Sequence, residues 1–276
     1  MEIRNGMAAV VTGAASGIGL ALTKALCRNG LHVLMADIDG DTLDTARAGL
    51  GDLASLAAVR VCDVSDESAV NDLADLAFAS YPTVDLVVNN AGVSSTGSVL
   101  ESTIADWEWV LGVDLYGVIH GIRAFVPRMI SQGGGYVVNT ASVAGLVSTP
   151  GMAPYNVAKH GVVTLSETLY QELQLADANV GVSVVCPAWV ATRIADSDRN
   201  RPGGPQEDSE TGARVRAAVR AATEHGRSPD SVADQIVEAI RRDQFYVMTH
   251  TGMMSFIKRR NREIETGGNP TVDTQI

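Results

Sequence analysis

The sequence predicts an α/β fold, a single-domain doubly wound parallel sheet of about seven strands with helices on both faces. Three observations carry this expectation. Short β-branched runs alternate with longer helical patterns along the 276 residues, as parallel strands joined by crossover helices require. Several of the runs are apolar nearly throughout, which suits strands covered on both faces. A glycine-rich turn joins the first run to the first helical stretch.

In chain order the strands are expected at Ala8–Thr12, His32–Asp37, Ala57–Cys62, Leu86–Asn89, Tyr136–Ala141, Val182–Cys186 and Phe245–Thr249. The longest helical stretches cover about Ile104–Ser131 and Met152–Ala176 and carry broad apolar faces, so an oligomer is expected over a monomer. From Arg193 to Gly226 the chain turns polar around Pro202, Gly203, Gly204 and Pro205, and a lid or substrate loop is expected there. Residues 1–265 are expected to form one domain and residues 266–276, which lack periodicity, a flexible tail.

Hydrophobic residues make up 46% and charged residues 19%, as in ordinary soluble globular chains. The formal net charge of −11 excludes a nucleic-acid partner, which needs a basic face, and disfavours an anionic membrane surface. Lys258, Arg259, Arg260 and Arg262 form the local exception and are expected on a solvated helix face. No apolar run is expected to approach the roughly 20 residues of a membrane span, and Met1 to Gly6 lacks the shape of a secretory leader. Cys27, Cys62 and Cys186 are scattered in apolar segments, which points to buried thiols in a reducing cytoplasm and to no metal site. His160 has no support as a functional residue.

In an open parallel sheet the ligand lies beyond the carboxyl ends of the strands. Strand one ends in Thr12-Gly13-Ala14-Ala15-Ser16-Gly17-Ile18-Gly19 and opens a helix. Glycines there let the backbone approach a pyrophosphate at the helix N-terminus, although a purely structural turn uses the same residues. Asp37 ends strand two, eighteen residues after Gly19. Its carboxylate suits the ribose hydroxyls of NAD and repels a 2′-phosphate, and Ile38 rather than an arginine follows it. The alternative is a turn residue before Asp39, Gly40 and Asp41. Asp63 and Val64 after strand three, and Asn89-Asn90-Ala91-Gly92 after strand four, line the same edge, though each is also compatible with turn chemistry.

Tyr155 and Lys159 lie four residues apart in a helical pattern and share one helix face. A tyrosine with a pKa of about 10 is a poor base at neutral pH, and a neighbouring ammonium favours its phenolate. Ser142 closes strand five, thirteen residues before Tyr155, within reach of a substrate oxygen. Alone, the Tyr–Lys spacing equally describes an exposed helix pair.

Together these motifs resemble the short-chain dehydrogenase/reductase family, in its NAD-dependent branch. The resemblance runs from about Gly6 to Thr192, with a looser continuation to about Thr249. It includes the Thr-Gly-x-x-x-Gly-Ile-Gly turn, Asn-Asn-Ala-Gly, Ser142 with Tyr155 and Lys159, and Pro187-Ala188-Trp189-Val190-Ala191-Thr192. It implies a Rossmann fold and hydride transfer between NAD and a secondary alcohol. Tyr155 would exchange the hydroxyl proton, Lys159 would bind the nicotinamide ribose and hold the tyrosine pKa down, and Ser142 would orient the substrate oxygen. Pro187, Val190 and Thr192 would contact the nicotinamide, and the long helices would pair into a homotetramer. Two positions depart from the pattern. Asp114 stands where the family usually has an asparagine of the catalytic relay, and Ala188 stands where it normally has glycine.

The substrate wall is expected to include Val93, Ser94, Val143, Ala144 and Trp189 with the 193–226 segment, which suggests a mid-sized hydrophobic alcohol or ketone. The stretch Ala105-Asp106-Trp107-Glu108-Trp109 is similar to dehydrogenases of aromatic, alicyclic or terpenoid alcohols, with Trp107 and Trp109 themselves expected to pack at a helix interface. Two rival functions remain at this stage. One is an NAD-binding sensor or scaffold, supported only by Asp114, and the other an epimerase or dehydratase that uses NAD transiently.

Overall fold

The computed structural model describes residues 1–205, 207 and 209–272. Positions 206 and 208 of the expected lid and 273–276 of the expected tail lie outside the described residues. The strands are β1 (Ala8–Thr12), β2 (His32–Asp37), β3 (Ala57–Val61), β4 (Leu86–Asn89), β5 (Gly135–Thr140), β6 (Val180–Val185) and β7 (Tyr246–Val247). The helices are α1 (Gly17–Arg28), α2 (Gly40–Ala48), α3 (Glu67–Ser80), α4 (Ile104–Leu111), α5 (Gly117–Ser131), α6 (Ala153–Leu175), α7 (Glu210–Glu224), α8 (Pro229–Arg241) and α9 (Met254–Thr266).

The strands form one parallel sheet in the order β3-β2-β1-β4-β5-β6-β7. Period-two alternation sends successive side chains to opposite faces. Val11, Val33, Met35, Val88 and Val138 pack with Leu22 and Leu26 of α1 and Ile236 and Ile240 of α8. The intervening Val10, Leu34, Val87 and Val137 pack with Leu73 of α3, Phe125 and Met129 of α5, and Leu169 of α6. The expected two-faced parallel sheet is therefore present. Its order reverses between β1 and β4, where a doubly wound sheet leaves a crevice for a ligand.

The differences from expectation are local. β5 and β6 begin at Gly135 and Val180, which pair with each other ahead of the β-branched core of each strand. β7 is only two residues long and sits at the sheet edge. The long helical stretch from Ile104 to Ser131 is broken by a π-helical turn, Gly112–Tyr116, between α4 and α5. Such turns are often functional, and this one carries Asp114.

Contrary to the expectation that no apolar run approaches a membrane span, the 104–131 stretch meets the length and apolarity of one, because its few charged residues are spread along the helices. Half of its most apolar window is buried inside the fold, as in a core helix. The polar segment after Arg193 is largely helical, comprising a 3₁₀ turn, Ile194–Asn200, and α7. The α9 helix carries the basic cluster and none of its residues is buried. It ends at Thr266 with Gly267 in the left-handed conformation, and beyond it Thr271 bonds back to Glu263. All three cysteines are free and buried. Burial pushes the thiols up to about 11 for Cys27 and Cys62 and about 12 for Cys186.

Candidate active site

The carboxyl ends of β1 and β4 are bound together by Thr12. Its hydroxyl accepts hydrogen bonds from the backbone N–H groups of Asn90 (2.9 Å) and Ala91 (3.1 Å), and Asn90 Nδ2 donates to the Thr12 carbonyl at 2.9 Å. This close approach explains the glycines. A Cβ on Gly13 would lie 2.8 Å from Ala91 Cα, and Gly13 also has φ +64°. A Cβ on Gly19 would lie 2.2 Å from the Gly13 carbonyl oxygen. Gly17 and Gly19 shape the turn without lining the cleft, whereas Gly13, Ser16 and Ile18 line it.

The same cleft is lined by Asp37, Asp63, Val64, Asn90, Ala91 and Gly92, which places the sequence-selected cofactor residues along one surface. The Asp37 carboxylate accepts from the backbone N–H groups of Ala15 (3.0 Å) and Asp39 (3.1 Å). It thereby fixes the glycine-rich turn as well as facing the cleft. Asp63 Oδ1 accepts from the Ser65 N–H at 2.9 Å. Pro187, Ala188, Trp189, Val190 and Thr192 form the opposing wall.

Ser142, Tyr155 and Lys159 all line this cleft. Ser142 caps a short turn after β5; its hydroxyl donates to the Pro187 carbonyl at 3.2 Å and accepts from the Ala144 N–H at 3.1 Å. Tyr155 is in the first turn of α6, where Pro154 suits the helix start. Lys159 falls on the buried stripe of α6 with Val162, Val163, Ser166, Leu169 and Leu173, so helical periodicity draws its side chain into the fold. Lys159 Nζ donates to the Thr140 carbonyl at 3.0 Å and lies 5.5 Å from the Tyr155 ring centroid. A buried polar chain positions this helix. Asn89 Nδ2 donates to Asn139 Oδ1 at 2.9 Å, and Asn139 Nδ2 donates to Ser166 Oγ at 3.0 Å.

Asp114 is fully buried and paired with Lys159, with Oδ2 at 3.1 Å from Nζ. Its Oδ1 accepts from the Val93 N–H at 2.7 Å. It does not line the cleft. Burial pushes the Asp114 carboxyl up, opposed by the Lys159 charge and the Val93 hydrogen bond. For Lys159, burial pulls down, but Asp114 and Tyr155 outweigh it and the net shift is upward. Tyr155 is raised by burial; Lys159 and a hydrogen bond with Ser142 oppose this, while Asp114 adds to it.

The Asp114 carboxylate disfavours the deprotonated form of Tyr155. Asp114→Asn removes one negative charge, so both the Tyr155 and Lys159 titrations are expected to move to lower pH. The peak rate should stay within about tenfold of the parent, since both proteins retain the proton-transfer group. Profiles of kcat/KM against pH check this, and superimposable curves would refute it.

The outer half of the cleft is apolar. Val93, Val143, Ala144 and Trp189 line it as expected, whereas Ser94 is buried and does not. Ile194 and Val219 of the expected 193–226 segment also line it, as do Trp109, Val147, Met152 and Met253, which sequence reading did not select for this wall. Trp109, expected to serve only helix packing, both lines the cleft and lies under the Arg201 guanidinium, 5.1 Å from its ring centroid. Arg201 pairs with Asp106 of α4 at 2.6 Å, and Asp198 pairs with Arg216 of α7 at 2.6 Å. The first pair ties the 193–226 segment to α4, and the second joins the 3₁₀ turn to α7 within that segment.

A glycine-rich crevice at a parallel-sheet switch point, adjoining a Ser–Tyr–Lys cluster, defines a dinucleotide-linked oxidoreductase architecture. The chain belongs to the short-chain dehydrogenase family, which its residues 7–203 match. It is 36% identical over 246 residues to 1-deoxy-11-beta-hydroxypentalenate dehydrogenase of Streptomyces avermitilis, covering 88% of this chain and 84% of that one. It is 33% identical over 251 residues to the C alpha-dehydrogenase of Sphingobium sp., covering 88% and 80%. The crystal structure of a short chain dehydrogenase/reductase from Burkholderia phymatum in complex with NAD superimposes with a TM-score of 0.97 at 38% identity, covering both chains fully.

Proposed function

We propose that this chain is an NAD-dependent oxidoreductase that interconverts a hydrophobic secondary alcohol and its ketone, with Tyr155 as general acid and base. The observation that carries this reading is the Lys159 ammonium, buried 5.5 Å from the Tyr155 ring centroid with Ser142 beside the same cleft. The glycine-rich cradle that any side chain would fill, and Asp37 at its far edge, fit a dinucleotide lacking a 2′-phosphate. The NAD complex of the Burkholderia phymatum relative supports the same cofactor.

NAD in this cleft supplies the hydride acceptor, so that the alcohol loses two electrons and becomes the ketone. Ser142 Oγ is placed to hydrogen-bond the substrate oxygen and hold its carbinol hydrogen toward the cofactor half of the cleft. Tyr155 Oη accepts the hydroxyl proton as the carbonyl forms and returns it in the reduction direction. Lys159 stabilises the intervening phenolate and would donate to the ribose of a bound dinucleotide. The wall of Val93, Val143, Val147, Met152 and Trp189 excludes water and favours an uncharged apolar substrate.

The exposed Tyr116, Val157 and Tyr170 on the long helices support pairing of copies into a homotetramer. The three buried free thiols suit a reducing cytoplasm.

NADH formation followed at 340 nm, with NAD or NADP and a panel of hydrophobic secondary alcohols, tests the reading. Turnover is expected with NAD and at least about tenfold less with NADP, because Asp37 repels a 2′-phosphate. NAD binding with no turnover on any alcohol would favour a sensor, and tightly held cofactor with no net NADH release an epimerase or dehydratase.

A further inference from the structure

The register between β6 and β7 leads the eye to His250. Alternate N–H groups along and just past β6 donate to carbonyls at the β7 edge, Val184 to Phe245 just before β7 at 2.7 Å and Cys186 just after β6 to Val247 at 2.9 Å. The next donor in that sequence is the Ala188 N–H, and Thr249 would supply its carbonyl. Instead the Ala188 N–H donates to His250 Nδ1 at 3.2 Å. The other ring nitrogen, Nε2, lies 3.0 Å from the Trp189 carbonyl. One imidazole thus takes the place of a strand, serving a donor and an acceptor on two consecutive residues of the cleft wall.

The partners determine the tautomer. A backbone N–H can only donate, so Nδ1 must accept, and the Trp189 carbonyl can only accept, so Nε2 must carry the proton. The buried Thr249 hydroxyl also lies 2.8 Å from Nδ1 and is its second donor. Burial and the charge of Arg227 both hold the His250 pKa down, against the Trp189 hydrogen bond, which keeps the ring in the neutral form this arrangement needs.

The wall so held is fixed from three sides. The Trp189 carbonyl also accepts from the Arg227 N–H at 3.0 Å, and the Ala191 N–H donates to the Arg227 carbonyl at 2.8 Å. A Cβ on Gly226 would come within 2.7 Å of the Trp189 carbonyl carbon, so the two backbones are in close contact. On the other side the Pro187 carbonyl accepts from the Val143 N–H and the Ser142 hydroxyl, at 2.8 and 3.2 Å. Ala188 and Trp189 line the cleft, whereas His250 does not.

We propose that His250 is a positioning residue for hydride transfer: it fixes the Ala188–Trp189 backbone, and through Pro187 the register of Ser142, against the nicotinamide end of the cofactor. This rests on the dehydrogenase reading above. It also gives Ala188 a role that its methyl group does not, because the group engaged is the backbone N–H.

Three variants divide the two bonds. His250→Phe keeps a ring and removes both, His250→Asn keeps an acceptor near Nδ1, and His250→Gln keeps a donor near Nε2. Calorimetric titration with NAD and with ADP-ribose, which lacks the nicotinamide, separates the two ends of the cleft. His250→Phe is expected to bind ADP-ribose as the parent does, to bind NAD several-fold more weakly, and to lose about tenfold to a hundredfold in kcat. Asn and Gln should each recover part of the loss. Unchanged NAD affinity and kcat in His250→Phe would overturn the proposal, as would equal weakening of both ligands. If the parent turns over none of the alcohols, the dehydrogenase reading fails by itself, and the NAD against ADP-ribose comparison still decides the role of His250.

Discussion

Tyr155→Phe protein is expected to bind NAD within about threefold of the parent affinity and to reduce it about a thousandfold more slowly, the range that a positioned general base contributes. The substitution removes one oxygen and leaves the ring on α6, so the half-buried side chain keeps its packing against Trp189 and Met152. Gly13, Asp37 and Thr192, the proposed cofactor contacts, also line the cleft and are untouched by the substitution. With no phenolate, the alcohol proton has no general base at this cluster, because the neutral Ser142 hydroxyl is far too weak a base to take it. Single-turnover NADH formation beside calorimetric NAD binding checks both halves. A rate near the parent's would remove Tyr155 from the chemistry, and loss of NAD binding would show that the variant is damaged more widely.

The second large effect is expected at the lid. Arg201→Met should lower stability by about 3–5 kcal/mol, the cost of stranding a buried charge partner, and the melting temperature by roughly 5–15 °C. The Arg201 side chain is 6% exposed and its Asp106 partner 15%, so solvent relieves little of the penalty. Asp198, 3.8 Å from Arg201 NH1, would keep Arg216 as its remaining partner. Loss of the guanidinium over Trp109 also frees a wall of the substrate half of the cleft, so the substrate KM should rise more than kcat falls. Asp106→Asn is the milder comparison. It retains an oxygen to accept from the Thr103 N–H in the α4 capping box while weakening the ion pair. Thermal unfolding, with proteolysis of the 193–226 segment, measures the outcome. An unchanged melting temperature would mean that the Coulombic gain of this pair only matches its desolvation.

Much of this architecture is local in origin and hence legible in the chain. Parallel strands buried on both faces are apolar over their whole length, so β1, β2 and β4 are recognisable without knowledge of their neighbours. The glycine-rich turn is readable because the left-handed φ of Gly13 and the contact at Gly19 exclude side chains. Tyr155 and Lys159 are readable because helical spacing alone puts them on one face. Their roles needed the resemblance as well, since the same spacing occurs on solvated helices.

Other features depend on which segments meet. The π-helical turn around Asp114 cannot be told from continuous helix by periodicity, because five residues are too few to establish a period of their own. His250 carries no local sign of a role; its function arises where an edge strand ends beside a wall 61 residues earlier in the chain. Trp109 and Arg201 are likewise ninety-two residues apart and become a wall and its clamp only when the lid lies across α4. Sequence by itself determined the layered parallel fold and the cofactor edge, because backbone geometry and burial act over a few residues. Tertiary structure alone decided the part of the cleft wall made by Trp109, Val147, Met152 and Met253, the charge state around Lys159 and the hold on Trp189, because dielectric, ion pairing and long-range hydrogen bonds exist only once distant segments exclude water together.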